Sequence, residues 1–205
     1  MKIIDCEQYS DKWWEARRGV PTASEMGRII TPKTGKLAAA ADGYIFTLLG
    51  DLYDVEYPRK DTLATAAMRR WTMMEPEARS YYELHRGVDV RQVGFCTTDD
   101  GRFGSSPDGL SEGALELKCP MPATHVEWLV GGTLPDEHKV QCHGHLIVTG
   151  LPWCDFLSYL PGAPPLLVRV EPDDFTKKLR DCLEAFWVKY QETKEKIARL
   201  NGGTL

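Results

Sequence analysis

The chain lacks several features that would have settled its class at once. Its six cysteines (Cys6, Cys96, Cys119, Cys142, Cys154 and Cys182) are scattered, with no C-x-x-C pair; they read as reduced thiols of a cytosolic protein. No apolar run approaches the length of a membrane span. The opening Met-Lys-Ile-Ile-Asp-Cys-Glu has no signal-peptide stretch, so a cytoplasmic location is expected. There is no internal repeat and no low-complexity segment. Thr31 to Lys36 ends in Gly-Lys but lacks the frame of a phosphate-binding P-loop, so ATP use is not inferred. Positive net charge is also missing: the balance is −5, which argues mildly against a nucleic-acid binder. A local groove is another matter, since basic residues gather at Arg17-Arg18, from Arg28 to Lys36, and at Arg69-Arg70. At 205 residues, the chain reads as one domain, 1–205, with a sizeable core.

What is present is concentrated between Ser105 and Pro120, in the string SSPDGLSEGALELKCP. In Ala114 to Cys119, charged and apolar residues alternate. On a strand, Glu116 and Lys118 therefore share one face and Leu115 and Leu117 the other. Gly109, Ser111 and Gly113 mark a turn before it. If the two runs pair, Asp108 comes close to Glu116, and two such carboxylates repel unless a cation lies between them. Oxygen ligands without His or Cys suit Mg²⁺ or Mn²⁺ rather than zinc. The Leu117 carbonyl would add a hard oxygen, and Lys118 a positive charge beside a nucleophilic water. The competing reading is an ordinary hairpin with a Glu–Lys pair on its wet face.

The coarse pattern predicts helices over residues 9–20, from Thr22 to about Ile30, over 38–53, and over 62–86 with a break near Pro76. Strands are expected at 88–96, 102–108 and 114–119, then helices at 122–132 and 135–149. A hairpin at 154–160 and 166–171 precedes a last helix from Glu171-Pro172-Asp173-Asp174, with Phe175, Leu179, Cys182, Leu183 and Phe186 on one face. Thr22-Ala23-Ser24-Glu25 has the spacing of a capping box. The first turn of such a helix is also a phosphate site, to which Ser24 would add a hydroxyl and Arg17 a guanidinium. Thr22 is expected to cap rather than to make contacts. The basic loop Thr31 to Lys36 reads either as a solvated loop or, through Lys33 and Lys36, as a contact to a nucleic-acid backbone or minor groove. His138, His143 and His145 read as surface or packing residues, not zinc ligands.

SSPDGL and LELKCP resemble motifs II and III of the PD-(D/E)xK nuclease superfamily. More narrowly, the chain is similar to the lambda exonuclease, or YqaJ-type viral recombinase, family. Trp13 to Glu25 follows that family's W-x-x-x-R-x-G-x-x-T-A-S-E pattern, and Glu75-Pro76-Glu77-Ala78-Arg79 and Gln141 extend the likeness. The cysteine spacing does not fit the iron–sulphur branch of the superfamily. The resemblance implies an α/β, restriction-endonuclease-like PD-(D/E)xK core: a central mixed β-sheet flanked by helices, in an alkaline-exonuclease-type domain. It implies metal binding by Asp108, Glu116 and the Leu117 carbonyl, catalysis by Lys118 with Gln141 assisting, and ordering of the site by Glu75. Arg17 and Ser24 match residues that hold a 5′-phosphate. The implied activity is Mg²⁺-dependent 5′→3′ degradation of one strand of duplex DNA to mononucleotides, leaving a 3′ tail. Mn²⁺ is expected to substitute, with two ions per site. A ring-shaped homotrimer and a single-strand annealing protein as partner are implied as well. Leu63, Met68 or Trp71 would be a strand-separating wedge, Trp71 standing where relatives tend to carry glycine. An endonuclease on the same core and a non-catalytic DNA-end-binding scaffold are the alternatives.

Overall fold

The computed structural model describes residues 1–57 and 66–200, with residues 66–72 described by their backbone alone. The first strand, β1 (Lys2–Ile4), leads to helix α1 (Asp11–Arg17). Ser10 starts α1 by accepting the Trp13 N–H on its hydroxyl at 3.2 Å, so the helix is shorter than the expected 9–20. Ala23–Arg28 then winds as a 3-10 turn rather than the expected α-helix. The capping box is not formed: Thr22 gives the turn no side-chain cap, because its hydroxyl faces Arg17 and Ser24 instead. The segment closes through short-range bonds such as Glu25 N–H to the Thr22 carbonyl at 2.9 Å.

The basic loop is the turn of a small hairpin, β2 (Ile30–Thr31) with β3 (Lys36–Leu37). Helix α2 (Ala41–Tyr53) buries Tyr44, Ile45, Leu48 and Leu49 at the expected helical spacing. Helix α3 (Ala66–Arg86) runs through Pro76 without the expected break. Proline inside a helix costs about 3 kcal/mol. Here Ala78 and Tyr82 of the same helix are buried in an apolar cluster with Leu115, Leu117 and Leu157, which offsets that cost. The part of the expected helix at 62–65 lies outside the described residues, as does Leu63; the side chains of Met68 and Trp71 are likewise not described.

Three short strands follow: β4 (Phe95–Thr97), β5 (Gly104–Ser105) and β6 (Gly109–Leu110). They are shorter than the 88–96 and 102–108 runs expected, since Gly94 and Pro107 interrupt the extended chain. Then come β7 (Ala114–Lys118), α4 (Pro122–Gly131), α5 (Asp136–Thr149), β8 (Cys154–Ser158), β9 (Leu166–Val170) and α6 (Asp174–Leu200). The central sheet has the order β6-β7-β8-β9, and a second sheet the order β1-β4-β5. In the central sheet β7 and β8 are parallel and the other pairs antiparallel, so the sheet is mixed. The α4–α5 crossover makes that parallel pairing possible. Helices flank the sheet, and the fold is the α/β architecture that the resemblance implies.

Each face of β7 has its own helix. Leu115 and Leu117 pack toward α3 in the cluster with Ala78 and Tyr82. Glu116 and Lys118 point the other way, beside Phe156 and Ser158 of β8, toward α5. Gly144 lets the 3-10 turn approach α5 closely: a Cβ there would sit 2.9 Å from both Ala23 Cβ and Met26 Sδ. Phe175, Leu179, Cys182, Leu183 and Phe186 of α6 are buried in the main core, as their spacing predicts. None of the six cysteines is in a disulfide. Among the described residues no helix is long and apolar enough to cross a membrane.

Candidate active site

The alternation in Ala114–Lys118 places Glu116 at the centre of a buried strand, only 1% exposed. Asp108, 6% exposed, lies just before β6 and is registered against β7 by its N–H, which donates to the Leu115 carbonyl at 2.9 Å. Its Oδ2 accepts the Leu117 N–H at 2.6 Å. Strand geometry turns the Leu117 carbonyl toward that same edge of β7. Lys118 Nζ is paired with Glu116 Oε1, and His145 Nε2 donates to Glu116 Oε2 at 2.7 Å. Ser105 Oγ holds the other ring nitrogen, Nδ1. Both ring nitrogens of His145 are thus satisfied, one by Glu116 and one by Ser105.

Burial, and next the charge of Glu116, push the Asp108 carboxyl well above the usual carboxylate range. Burial works in the same direction on Glu116, but Lys118 and the His145 hydrogen bond outweigh it and hold the group at about 2. Burial opposes the charge on Lys118, yet Glu116 and Asp108 raise its pKa above the ordinary lysine value. The protein alone thus favours one proton on Asp108 and an ion pair between Glu116 and Lys118.

From α3, Arg79 reaches the Asp108 main-chain carbonyl with Nε at 3.4 Å and Nη2 at 3.2 Å. Its Nη2 also pairs with Glu75 Oε1. The guanidinium that steadies the Asp108 backbone therefore also holds Glu75, and the Glu75 charge bears on Asp108.

On α5, His138, Gln141 and His145 recur at i, i+3 and i+7, on one helix face. The structure bears out a packing role for His138 and His143 and corrects the reading only for His145. His145 is 1% exposed and bonded to Glu116, and His143 is buried with Nδ1 2.8 Å from Thr176 Oγ1. His138 stacks on Phe156 at 5.1 Å, and its buried Nε2 has no hydrogen-bond partner. Burial, then the nearby Lys118 charge, brings its pKa down to about 4, so the ring is neutral. Gln141 is half-buried and makes no hydrogen bond among the described residues. His145→Ala would strand Glu116 Oε2 and the Ser105 hydroxyl in the core. The expected cost is about 1–3 kcal/mol, read as a lower urea midpoint at unchanged m-value.

A second polar group lies beside the first. Arg17 donates from Nη1 to Ser106 Oγ at 3.3 Å and from Nη2 to Thr22 Oγ1 at 3.2 Å. Its guanidinium lies 4.3 Å over the Trp13 ring, whose Nε1–H donates to Ser106 Oγ at 2.9 Å. Thr22 Oγ1 lies 3.3 Å from Ser24 Oγ, and Ser24 is exposed. Thr22 therefore makes contacts rather than capping. Arg17, Ser106, Thr22 and Ser24 form a chain of hydroxyls around one guanidinium, suited to an anion with several oxygens. Lys33 and Lys36 are exposed on the β2–β3 hairpin and have no hydrogen bond or ion pair to the carboxylates. Ser105, Ser106, Arg79 and His145 are the members that sequence reasoning missed. The i+4 spacings of Glu75 to Arg79 and Gln141 to His145 were a usable signal for two of them.

Comparison with known proteins identifies the family. The model of the YqaJ-like viral recombinase domain matches residues 12–152. No curated protein matches the chain. The structure is similar to LHK-Exo in complex with dAMP at 30% identity and a TM-score of 0.79, covering 94% of this chain and 98% of that one. It is also similar to an alkaline exonuclease (LHK-Exo) from Laribacter hongkongensis at 30% identity and a TM-score of 0.72, covering 93% and 100% of the two chains. A phage related exonuclease from Haemophilus somnus shares the fold at 13% identity and a TM-score of 0.60, over 87% of this chain and 96% of that one. With the family model spanning both the Arg17 cluster and the Asp108–Glu116–Lys118 cluster, the chain belongs to the YqaJ-like viral recombinase family.

Proposed function

We propose that this protein is a Mg²⁺-dependent 5′→3′ exonuclease that degrades one strand of duplex DNA from its ends. It would release mononucleotides and leave a 3′ single-stranded tail. The family and its alkaline exonuclease relatives support a DNA exonuclease. The observation that carries the finer reading is the Asp108–Glu116–Lys118 cluster lying two residues from the Ser106 that binds Arg17. The ligand of the LHK-Exo complex, dAMP, is a mononucleotide of the kind such a reaction would release.

The donor set fits a hard divalent cation. Asp108 is pushed toward protonation because it faces Glu116 in a buried setting, and a cation there would take the place of that proton. Among the described residues no three His, Cys, Asp or Glu side chains gather into a ready-made cage. Such a site suits Mg²⁺, which keeps several waters, with Mn²⁺ as substitute and two ions per site as the family reading has it. Asp108, Glu116 and the Leu117 carbonyl would hold the metal. When bound, it supplies charge stabilisation at the scissile phosphate and the leaving oxygen. Lys118 orients the attacking water, with Gln141 assisting from α5. Glu75 and Arg79 keep Asp108 in place. Arg17 and Ser24 hold the terminal 5′-phosphate, and Lys33 and Lys36 meet the duplex backbone. A ring-shaped homotrimer and a single-strand annealing partner complete the proposal, in a cytoplasmic setting.

The test is digestion of linear and closed circular plasmid with Mg²⁺. Loss of linear duplex alone is the expected result; cutting of circles points to an endonuclease, and no cutting to a scaffold. On linear duplex, Arg17→Ala is expected to lower the preference for 5′-phosphate over 5′-hydroxyl ends by about 10- to 100-fold, the worth of a charge-assisted hydrogen bond. Equal relative rates in the variant and the parent would place the end pocket elsewhere.

A further inference from the structure

Tyr9 is used by neither cluster, yet it borders both. It is 57% exposed, and it is the non-glycine residue among those described with a left-handed backbone, at φ 67°. A tyrosine is uncommon in that conformation and costly to hold there. The neighbouring chain fixes it. Gln8 Nε2 donates to the Val93 carbonyl at 3.1 Å and to the Pro107 carbonyl at 3.2 Å, next to Asp108. On the other side, Ser10 Oγ donates to the Glu7 carbonyl at 2.6 Å and caps α1. The ring packs on Trp13 at 5.0 Å, tilted by 47°, and Trp13 carries the Arg17 guanidinium. The Tyr9 hydroxyl lies in the field of Asp108, Glu75 and Lys118 as well as of Arg17. An exposed aromatic ring is thus held against Trp13 of the anion cluster, next in the chain to the Gln8 that bonds the Pro107 carbonyl before Asp108, on a backbone held against its own preference.

We infer that Tyr9 is a nucleobase shelf: its ring stacks on the base of the terminal nucleotide of the strand being cut. The inference rests on the proposed exonuclease reading. In that reading the terminal nucleotide has its 5′-phosphate at Arg17 and its 3′-phosphodiester at Asp108 and Glu116. Its base must then lie near the ring that borders both. Stacking on an aromatic face tolerates every base, which suits an enzyme that removes whatever nucleotide stands at the end.

The experiment uses 5′-phosphorylated linear duplexes whose terminal nucleotide is either natural or abasic. The protein is expected to act on the natural end with a KM about 5- to 100-fold lower, the range that base–aromatic stacking supports. Tyr9→Gly, which fits the left-handed backbone without strain, is expected to handle both ends alike, at the poorer KM. Tyr9→Trp should keep the preference. Tyr9→Gly must retain the preference for 5′-phosphate over 5′-hydroxyl ends, which belongs to Arg17. A purely structural Tyr9 would leave the natural-to-abasic ratio of Tyr9→Gly equal to the parent's, and that outcome overturns the shelf. A parent protein that does not discriminate between the two ends overturns it too. Failure to degrade any linear duplex would instead overturn the exonuclease reading itself.

Discussion

Lys118→Ala is expected to lower turnover on linear duplex by about 10²- to 10⁴-fold, the range for a positioned catalytic group, while duplex affinity in Ca²⁺ changes only a few-fold. The ammonium is paired with Glu116 and lies in the field of Asp108, so it stands where an attacking water would be oriented. On the proposed reading its loss removes little contact with DNA, because phosphate binding is assigned to Arg17 and Ser24. It does remove the charge opposite a buried glutamate. Breaking one side of such a pair costs about 3–5 kcal/mol, so folding must be followed separately by melting with and without Mn²⁺. Lys118→Gln, which keeps a hydrogen-bond donor for Glu116, is the second variant. Substantial residual turnover in a folded Lys118 variant would refute the role given to it.

Asp108→Asn should abolish activity and yet stabilise the metal-free protein. The asparagine oxygen can still accept the Leu117 N–H, and its amide can donate toward Glu116. What disappears is the cost of ionising a buried carboxyl beside the charged Glu116. Because the folded-state pKa of Asp108 is raised, the folded protein binds its proton more tightly than the unfolded chain does. The stability this provides is present below the unfolded carboxylate value and is lost as pH rises through the raised one. The gain from the substitution should therefore be small near pH 4 and grow toward neutrality. Relief of a strained functional site is typically worth about 0.5–2 kcal/mol. In a chain of this size each kcal/mol moves the midpoint by roughly 2–4 °C. Mn²⁺ should raise the melting temperature of the parent and leave that of Asp108→Asn unchanged. A variant no more stable than the parent at neutral pH would show that the two carboxylates do not oppose each other.

The sequence showed the strand of the site more clearly than its surroundings. Five alternating residues, Ala114–Lys118, were enough to place Glu116 and Lys118 on one face, because a strand has a period of two and the turn before it is rich in breakers. Helix α6 was legible for a related reason: its apolar spacing repeats over many turns. The Thr22–Glu25 string was misread because S/T-x-x-E describes a local hydrogen-bond option, and Arg17 competes for the Thr22 hydroxyl. The role of His145 was hidden in a different way. Glu116 is 29 residues away in sequence, and no local pattern reports that a histidine on α5 meets a glutamate on β7. Glu75 was chosen by resemblance alone; its tie to Asp108 runs through Arg79 and needs the packing of α3 on the sheet.

Ser106 and Asp108 belong to one short segment with Pro107 between them. The serine holds Arg17 and Trp13, and the aspartate stands at the edge of β7. Two residues span at most about 7 Å of chain, and proline fixes one of the angles within that span. The Arg17 cluster and the carboxylate cluster therefore cannot drift independently. On the proposed reading the molecule would carry a rigid ruler of backbone, its stride along a strand set by covalent bonds rather than by the balance of looser forces.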